Sequence, residues 1–218
     1  PTAGRWPRIS SNSAPADMAD LSEVVRNRRM SRSFTTEEVD PVAIERIISL
    51  AGRAPSAGKA QGWHVVSLVG DETASYWDAT LPEQRRDDFT WPGLLRAPVI
   101  LVLVADPDAY VERYGESDKA RTGLGEGRDA WPVPYWTVDA SMAAMVILLA
   151  AEDEGLGALF FGPFGATERV REALGVPPSM EIVATIAIGH RDPSVEHRGR
   201  SAGRPRRSVD EIVHRGVW

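Results

Sequence analysis

Pro98-Val99-Ile100-Leu101-Val102-Leu103-Val104-Ala105 is an unbroken apolar, largely β-branched run in a chain of 218 residues. A strand with no polar face needs cover on both sides, so the run predicts a fully buried central strand. Upstream, Trp63–Val69 predicts another strand, closed by Gly70-Asp71, and downstream Ala158–Phe161 and Glu181–Gly189 predict two more. Helical signals stand between them. A short helix from Asp20 carries Leu21, Val24 and Val25 on one face, and Asp40-Pro41 starts a second in which Ile44, Ile47, Ile48 and Ala51 recur at helical spacing. Glu72 to Asp88 is amphipathic with Pro82 breaking it. Asp139 to Glu154 is apolar on nearly all sides, and Thr167–Leu174 is stopped by Gly175 and Pro177. This mixture predicts one α+β domain over residues 18–218.

The flanks and one internal stretch read differently. Residues 1–17, rich in Pro, Ser and Ala around Trp6, predict a flexible N-terminal arm. Residues 191–218 predict a polar, arginine-rich C-terminal arm that is ordered only if it lies on something. Between Asp106 and Thr137 periodicity fades while Gly123, Gly125 and Gly127 accumulate, which predicts a long loop, with Arg113 in it expected to take no part in a site.

Composition removes several function classes. Hydrophobic residues at 43% and charged residues at 26% supply an ordinary globular core. A net charge of −6 argues against a nucleic-acid binder. The absence of cysteine excludes disulfides, thiolate metal sites and a cysteine nucleophile, and fits a cytoplasmic protein. The start of the chain has no apolar signal core, and the longest apolar run, Met142 to Ala151, is short of the roughly 20 residues of a membrane span. His64, His190, His197 and His214 lack ligand spacing, and no Gly-x-Ser-x-Gly elbow is present, so neither a metal centre nor a serine hydrolase is expected.

Chemistry concentrates in a few segments. Arg28-Arg29-Met30-Ser31-Arg32-Ser33-Phe34 gathers guanidinium groups that can fork onto a phosphate, although such clusters are also common on solvated faces. Ala54-Pro55-Ser56-Ala57-Gly58-Lys59-Ala60-Gln61-Gly62-Trp63 is a turn feeding a strand, able to bring backbone close to a flat ligand. Gly155-Leu156-Gly157-Ala158-Leu159-Phe160-Phe161-Gly162-Pro163-Phe164-Gly165 ends a strand in a glycine turn, and Arg204-Pro205-Arg206-Arg207 is a late basic element. Trp131, Tyr135 and Trp136 fit a face for a planar substrate and fit plain core equally well.

In order and spacing these segments resemble the signature of the nitroreductase family of FMN-dependent oxidoreductases, over roughly residues 20 to 218. The resemblance implies a central, mostly antiparallel sheet flanked by helices, with the C-terminal arm swapped in a homodimer. It places Arg28, Arg29, Met30 and Arg32, with Arg204 and Arg206, around the flavin phosphate and ribityl chain. Pro55, Ser56, Ala57 and Gly58 lie on the ring from the partner subunit, Phe161 and Gly162 meet its edge, and Trp131, Tyr135 and Trp136 form a lid over a small-molecule acceptor. The implied activity is NAD(P)H-driven, ping-pong reduction of electron-poor aromatics such as nitro compounds and quinones, with no catalytic side chain because the flavin N5 carries the hydride. Three positions depart from the family pattern: Met30 stands where many members have serine, Lys59 replaces the usual Asn, and Pro163 has no N–H to donate. The alternatives are a non-catalytic flavin or deazaflavin sequestering protein and a relative with specialised chemistry such as deiodination or cofactor biosynthesis.

Overall fold

Four strands form one antiparallel sheet in the order β1-β2-β4-β3: β1 Trp63–Val69, β2 Val99–Ala105, β3 Gly157–Phe161 and β4 Glu181–Gly189. This computed structural model describes residues 20–195 and 203–218; the expected arm at 1–17 and residues 196–202 lie outside the described residues. All residues of β2 are buried, as its unbroken apolar run requires. Val99, Leu101 and Leu103 face one layer of helices, α2 Pro41–Ala51 and α5 Tyr135–Asp153, through Ile44, Ile47 and Ile147. Ile100, Val102 and Val104 face the other, built on α3 Thr73–Thr80 and α6 Thr167–Leu174 with Tyr76, Trp77 and Val170. The period of two along the strand thus yields three layers.

Helix starts follow local chemistry. Asp20 caps α1 Leu21–Asn27 by accepting from the Ser22 amide at 2.8 Å, and Asp40 caps α2 by accepting from Val42 at 2.9 Å, with Pro41 at the first position.

The structure corrects the long loop expected from 106 to 137. Asp106 and Pro107 repeat the Asp-Pro start of α2 and open α4, Pro107–Gly115, capped at the Asp108 and Ala109 amides. Only Pro107 and Tyr110 of α4 are buried, so its sequence carries little periodicity to read. Three short 3₁₀ turns, Ala120–Thr122, Leu124–Glu126 and Arg128–Ala130, punctuate the remainder, and α5 begins at Tyr135, earlier than the expected Asp139.

α5 is long and apolar enough to cross a membrane, yet half of it is buried in this fold against the sheet and α2, Ala140, Ala143, Ala144 and Ala151 allowing close approach. Val138 and Met145 remain exposed. The C-terminal segment contains α7 Val209–Ile212, closed by a Ser208–Glu211 capping box, and every residue from 203 to 218 is exposed.

Candidate functional site

The arginine-bearing segment is stitched to the sheet. α1 ends at Arg28, whose amide bonds the Val24 carbonyl at 2.9 Å. The chain then runs beside β3, where Met30 pairs with Ala158 in parallel and the Ser31 amide donates to the Ala158 carbonyl at 2.9 Å. Arg96 donates to the Phe34 carbonyl at 2.8 Å, to the Ser33 hydroxyl at 3.2 Å and to Asp192 at 2.8 Å. Arg191 bridges Glu152 and reaches the Ser31 hydroxyl at 3.3 Å. Glycine makes the close approach possible: a Cβ at Gly93 would lie 2.2 Å from Ser33 Oγ, and one at Gly157 2.8 Å from Ser31 Oγ. The Ser194 hydroxyl and amide, with Arg96, hold the Asp192 carboxyl below its usual range, so it stays charged as a partner for Arg96.

Within this fixed segment Arg28 Nη1 is buried without a hydrogen-bond partner among the described residues. A guanidinium only donates, and an unmade bond at a buried donor is costly, so the position suits an anionic oxygen supplied from outside the chain. Arg32 lies over the Trp91 ring at 5.6 Å, and Arg29 is exposed at the end of the same helix.

The Pro55–Gly58 turn is pinned from two helices. Asp139 on α5, 1% exposed, accepts from the Ala57 amide at 2.8 Å and from the Tyr110 hydroxyl at 2.7 Å through the same oxygen. Burial pushes the Tyr110 hydroxyl above its ordinary pKa, and the Asp139 hydrogen bond adds to the rise. Arg113 donates to the Gly58 carbonyl at 2.8 Å, which corrects the expectation that it takes no part. Gly58 has φ 58° with the Tyr114 ring 2.8 Å from where a Cβ would stand. Lys59 and Gln61 also have positive φ, and Ser56 Oγ accepts from the Gln61 amide at 2.8 Å, which steadies this disfavoured backbone.

At the end of β3, Gly162 is exposed, and an added Cβ would meet nothing within 4 Å, so a flat ligand can approach the backbone there. Trp131 and Trp136 correct the lid expected of them. At 8% and 6% exposure they pack with Tyr110 and Ala140, and Trp131 Nε1 donates to the Leu124 carbonyl and Trp136 Nε1 to Glu181, each at 2.9 Å. Tyr135 alone of that trio is exposed. Arg204 and Arg206 are exposed in the C-terminal segment and have no hydrogen-bond or ion-pair partner among the described residues.

The structure therefore joins the 28–34 segment to β3, whereas the Pro55–Gly58 turn leads into β1 at the other edge of the sheet. Sequence reasoning missed Arg96, Arg191, Tyr110, Arg113 and Asp139. Asp139 carried a signal, being the only acid inside the apolar stretch from Tyr135 to Ala151. The others are ordinary polar residues whose partners come from distant parts of the chain.

The profile of the nitroreductase family matches residues 25–190. The chain is 28% identical to a 4-nitrobenzoate reductase of Nocardioides sp., over 93% of this chain and 96% of that protein. It is also 28% identical to a 5,6-dimethylbenzimidazole synthase of Rhodospirillum rubrum, over 88% and 93%. Its fold is that of a solved FMN-dependent nitroreductase from Clostridium difficile R20291, with a TM-score of 0.62 at 22% identity, covering 90% of this chain and 99% of that one.

Proposed function

This chain belongs to the nitroreductase family, and we propose that it is an FMN-dependent oxidoreductase that uses NAD(P)H to reduce small electron-poor aromatics such as nitro compounds and quinones. The carrying observation is the buried, unpartnered Nη1 of Arg28 on a segment locked to β3. A phosphate oxygen satisfies that donor, and the open backbone at Gly162 leaves room for a flat ring near the strand's end. The names of the Nocardioides and Clostridium difficile relatives support the same reading.

Bound FMN supplies the chemistry, hydride transfer from the nicotinamide in one half-reaction and to the acceptor in the other. The chain's own residues bind and orient. Arg28, Arg29 and Arg32, with Arg204 and Arg206 brought in by the C-terminal arm, neutralise the phosphate and ribityl end, and Met30 lends its backbone. Phe161 backs the ring edge, and the Gly162 amide donates to it. Pro55, Ser56, Ala57 and Gly58 cover the ring from a second copy of the chain and exclude water. Tyr135 contacts the acceptor, and the buried Trp131, its ring 5.9 Å from that of Tyr135, backs it, while Trp136 is core.

A homodimer follows from apolar residues one chain leaves uncovered: Leu21, Val25, Val138 and Met145 on α1 and α5 are all exposed. The arm, which has no core of its own, gains order by wrapping the partner. A chain without cysteine suits the reducing cytoplasm.

The test is a spectrum. Purified protein is expected to be yellow, to carry about one FMN per chain, to bleach with NADH or NADPH and to recolour with a quinone. A colourless protein that also fails to bind added FMN overturns the proposal, and a yellow one that neither nicotinamide bleaches points to sequestration instead.

A further inference from the structure

Aromatic rings form a continuous strip between the two ends of the proposed flavin site. Starting under the Arg32 guanidinium, it runs from Trp91 to Phe89 at 5.9 Å edge-on, to Phe164 at 5.8 Å edge-on, and to Phe161 at 5.3 Å. Phe161 stacks on Trp77 at 6.2 Å and 8°. Trp77 and Tyr76 are buried, so the strip has a rigid backing.

Phe164 is the anomaly in it. Its backbone has φ 51°, a region that residues other than glycine rarely occupy, and the residue is 43% exposed. Only partly covered by Phe89 and Phe161, the side chain gains less from this disfavoured backbone than a core residue would, and such positions concentrate where ligands bind. It stands two residues after Gly162, beside backbone with nothing within 4 Å of an added Cβ. Trp131 and Trp136, by contrast, are buried and present no face.

We propose that Phe164, backed by Phe161 and Phe89, is the platform on which the planar acceptor rests, and the residue that selects acceptors with a flat apolar face. The inference rests on the reading of this chain as a flavin-dependent reductase. The electron-rich face of Phe164 favours an electron-poor ring in offset stacking. An acceptor without a flat apolar face gains nothing from it. The nicotinamide is also flat and electron-poor when oxidised, so the two half-reactions are read apart.

The experiment compares the holoprotein with Phe164→Gly and Phe164→Tyr. Binding of 2-naphthoate, flat and redox-inert, is measured by equilibrium dialysis with no reductant present. Phe164→Gly is expected to raise its Kd at least about fivefold and Phe164→Tyr to leave it within about twofold. The melting temperature of Phe164→Gly is expected to hold or rise, because glycine accepts a positive φ. In stopped flow, reoxidation of the reduced Phe164→Gly variant by a quinone slows at least about fivefold while reoxidation by ferricyanide stays within about twofold. Unchanged naphthoate affinity overturns the proposal whatever the melting temperature, as does a loss confined to the NAD(P)H half-reaction. A holoprotein that neither nicotinamide bleaches refutes the reductase reading alone, since naphthoate binding still reports on the platform.

Discussion

The Tyr110 hydroxyl donates to Asp139 Oδ2 at 2.7 Å, and the same oxygen takes the Ala57 amide at 2.8 Å, so one buried carboxylate ties α4, α5 and the Pro55–Gly58 turn together. Its other oxygen, Oδ1, is buried with no partner among the described residues, which makes the two bonds to Oδ2 matter more. Tyr110→Phe removes a donor from a buried acceptor and is expected to cost about 1–3 kcal/mol. In a chain of this size that lowers Tm by about 2–4 °C per kcal/mol. Tyr135→Phe, at an exposed hydroxyl, is expected to change stability by no more than about 0.5 kcal/mol. Equal effects from the two substitutions refute the tie.

Alkaline titration reads the same pair from the other side. Burial raises the phenols of both Tyr76 and Tyr110 above their ordinary range, with Asp139 adding to the rise at Tyr110. Folding therefore favours the protonated phenols. Their contribution is fully present below the unfolded value of about 10 and is lost as pH rises through the higher folded value. Absorbance at 295 nm is expected to show two of the four tyrosines ionising late, together with unfolding, and Tyr110→Phe is expected to remove one of them.

Affinity for FMN separates the specific cage from general charge. Arg28→Ala and Arg206→Ala are each expected to weaken FMN about ten- to a hundredfold, the loss of one charge-assisted contact. Arg85→Ala, on an exposed turn before β2, is expected to change little. Equal losses from all three mean that a diffuse field, not a cage, holds the phosphate. Arg113 is unsuitable as a control because it holds the Gly58 carbonyl.

Trp136 offers a test of core against lid. Buried, and bonded through Nε1 to Glu181 at 2.9 Å, it is expected on truncation to alanine to cost about 3–5 kcal/mol. Acceptor selectivity in the surviving folded fraction stays as in wild type. A stable Trp136→Ala variant with altered acceptor preference restores the lid.

Light scattering addresses assembly. The exposed apolar residues of α1 and α5 predict a dimer at micromolar concentration, and Met145→Asp is expected to shift it toward monomer. A flavin-loaded monomer contradicts the shared site.

Much of the architecture was legible because its signals are local. The run at Val99–Ala105 could only be a strand covered on both faces, and Asp-Pro at 40–41 could only open a helix. The same signal at Asp106-Pro107 stands without an apolar rhythm behind it, because α4 buries little besides Tyr110. Of the candidate site, the contiguous motif at Arg28–Phe34 is readable from the sequence, and the parts that long-range pairing makes are not. Nothing near Arg96 announces that it binds residues 33, 34 and 192, and aromatic content alone could not tell the buried Trp136 from an exposed Phe164.

β1 and β3 stand on opposite edges of the sheet with β2 and β4 between them. Three strand spacings of about 4.8 Å separate them by roughly 14 Å. Within one chain the turn that enters β1 and the glycine that follows β3 therefore lie toward opposite edges of the sheet. On the proposed reading, a defect then belongs to a site and not to a polypeptide, and two dead proteins can rescue each other. Arg28→Ala chains exchanged with chains blocked at the turn by Ser56→Trp form mixed dimers in which one site inherits both intact halves, restoring about a quarter of wild-type activity after random exchange.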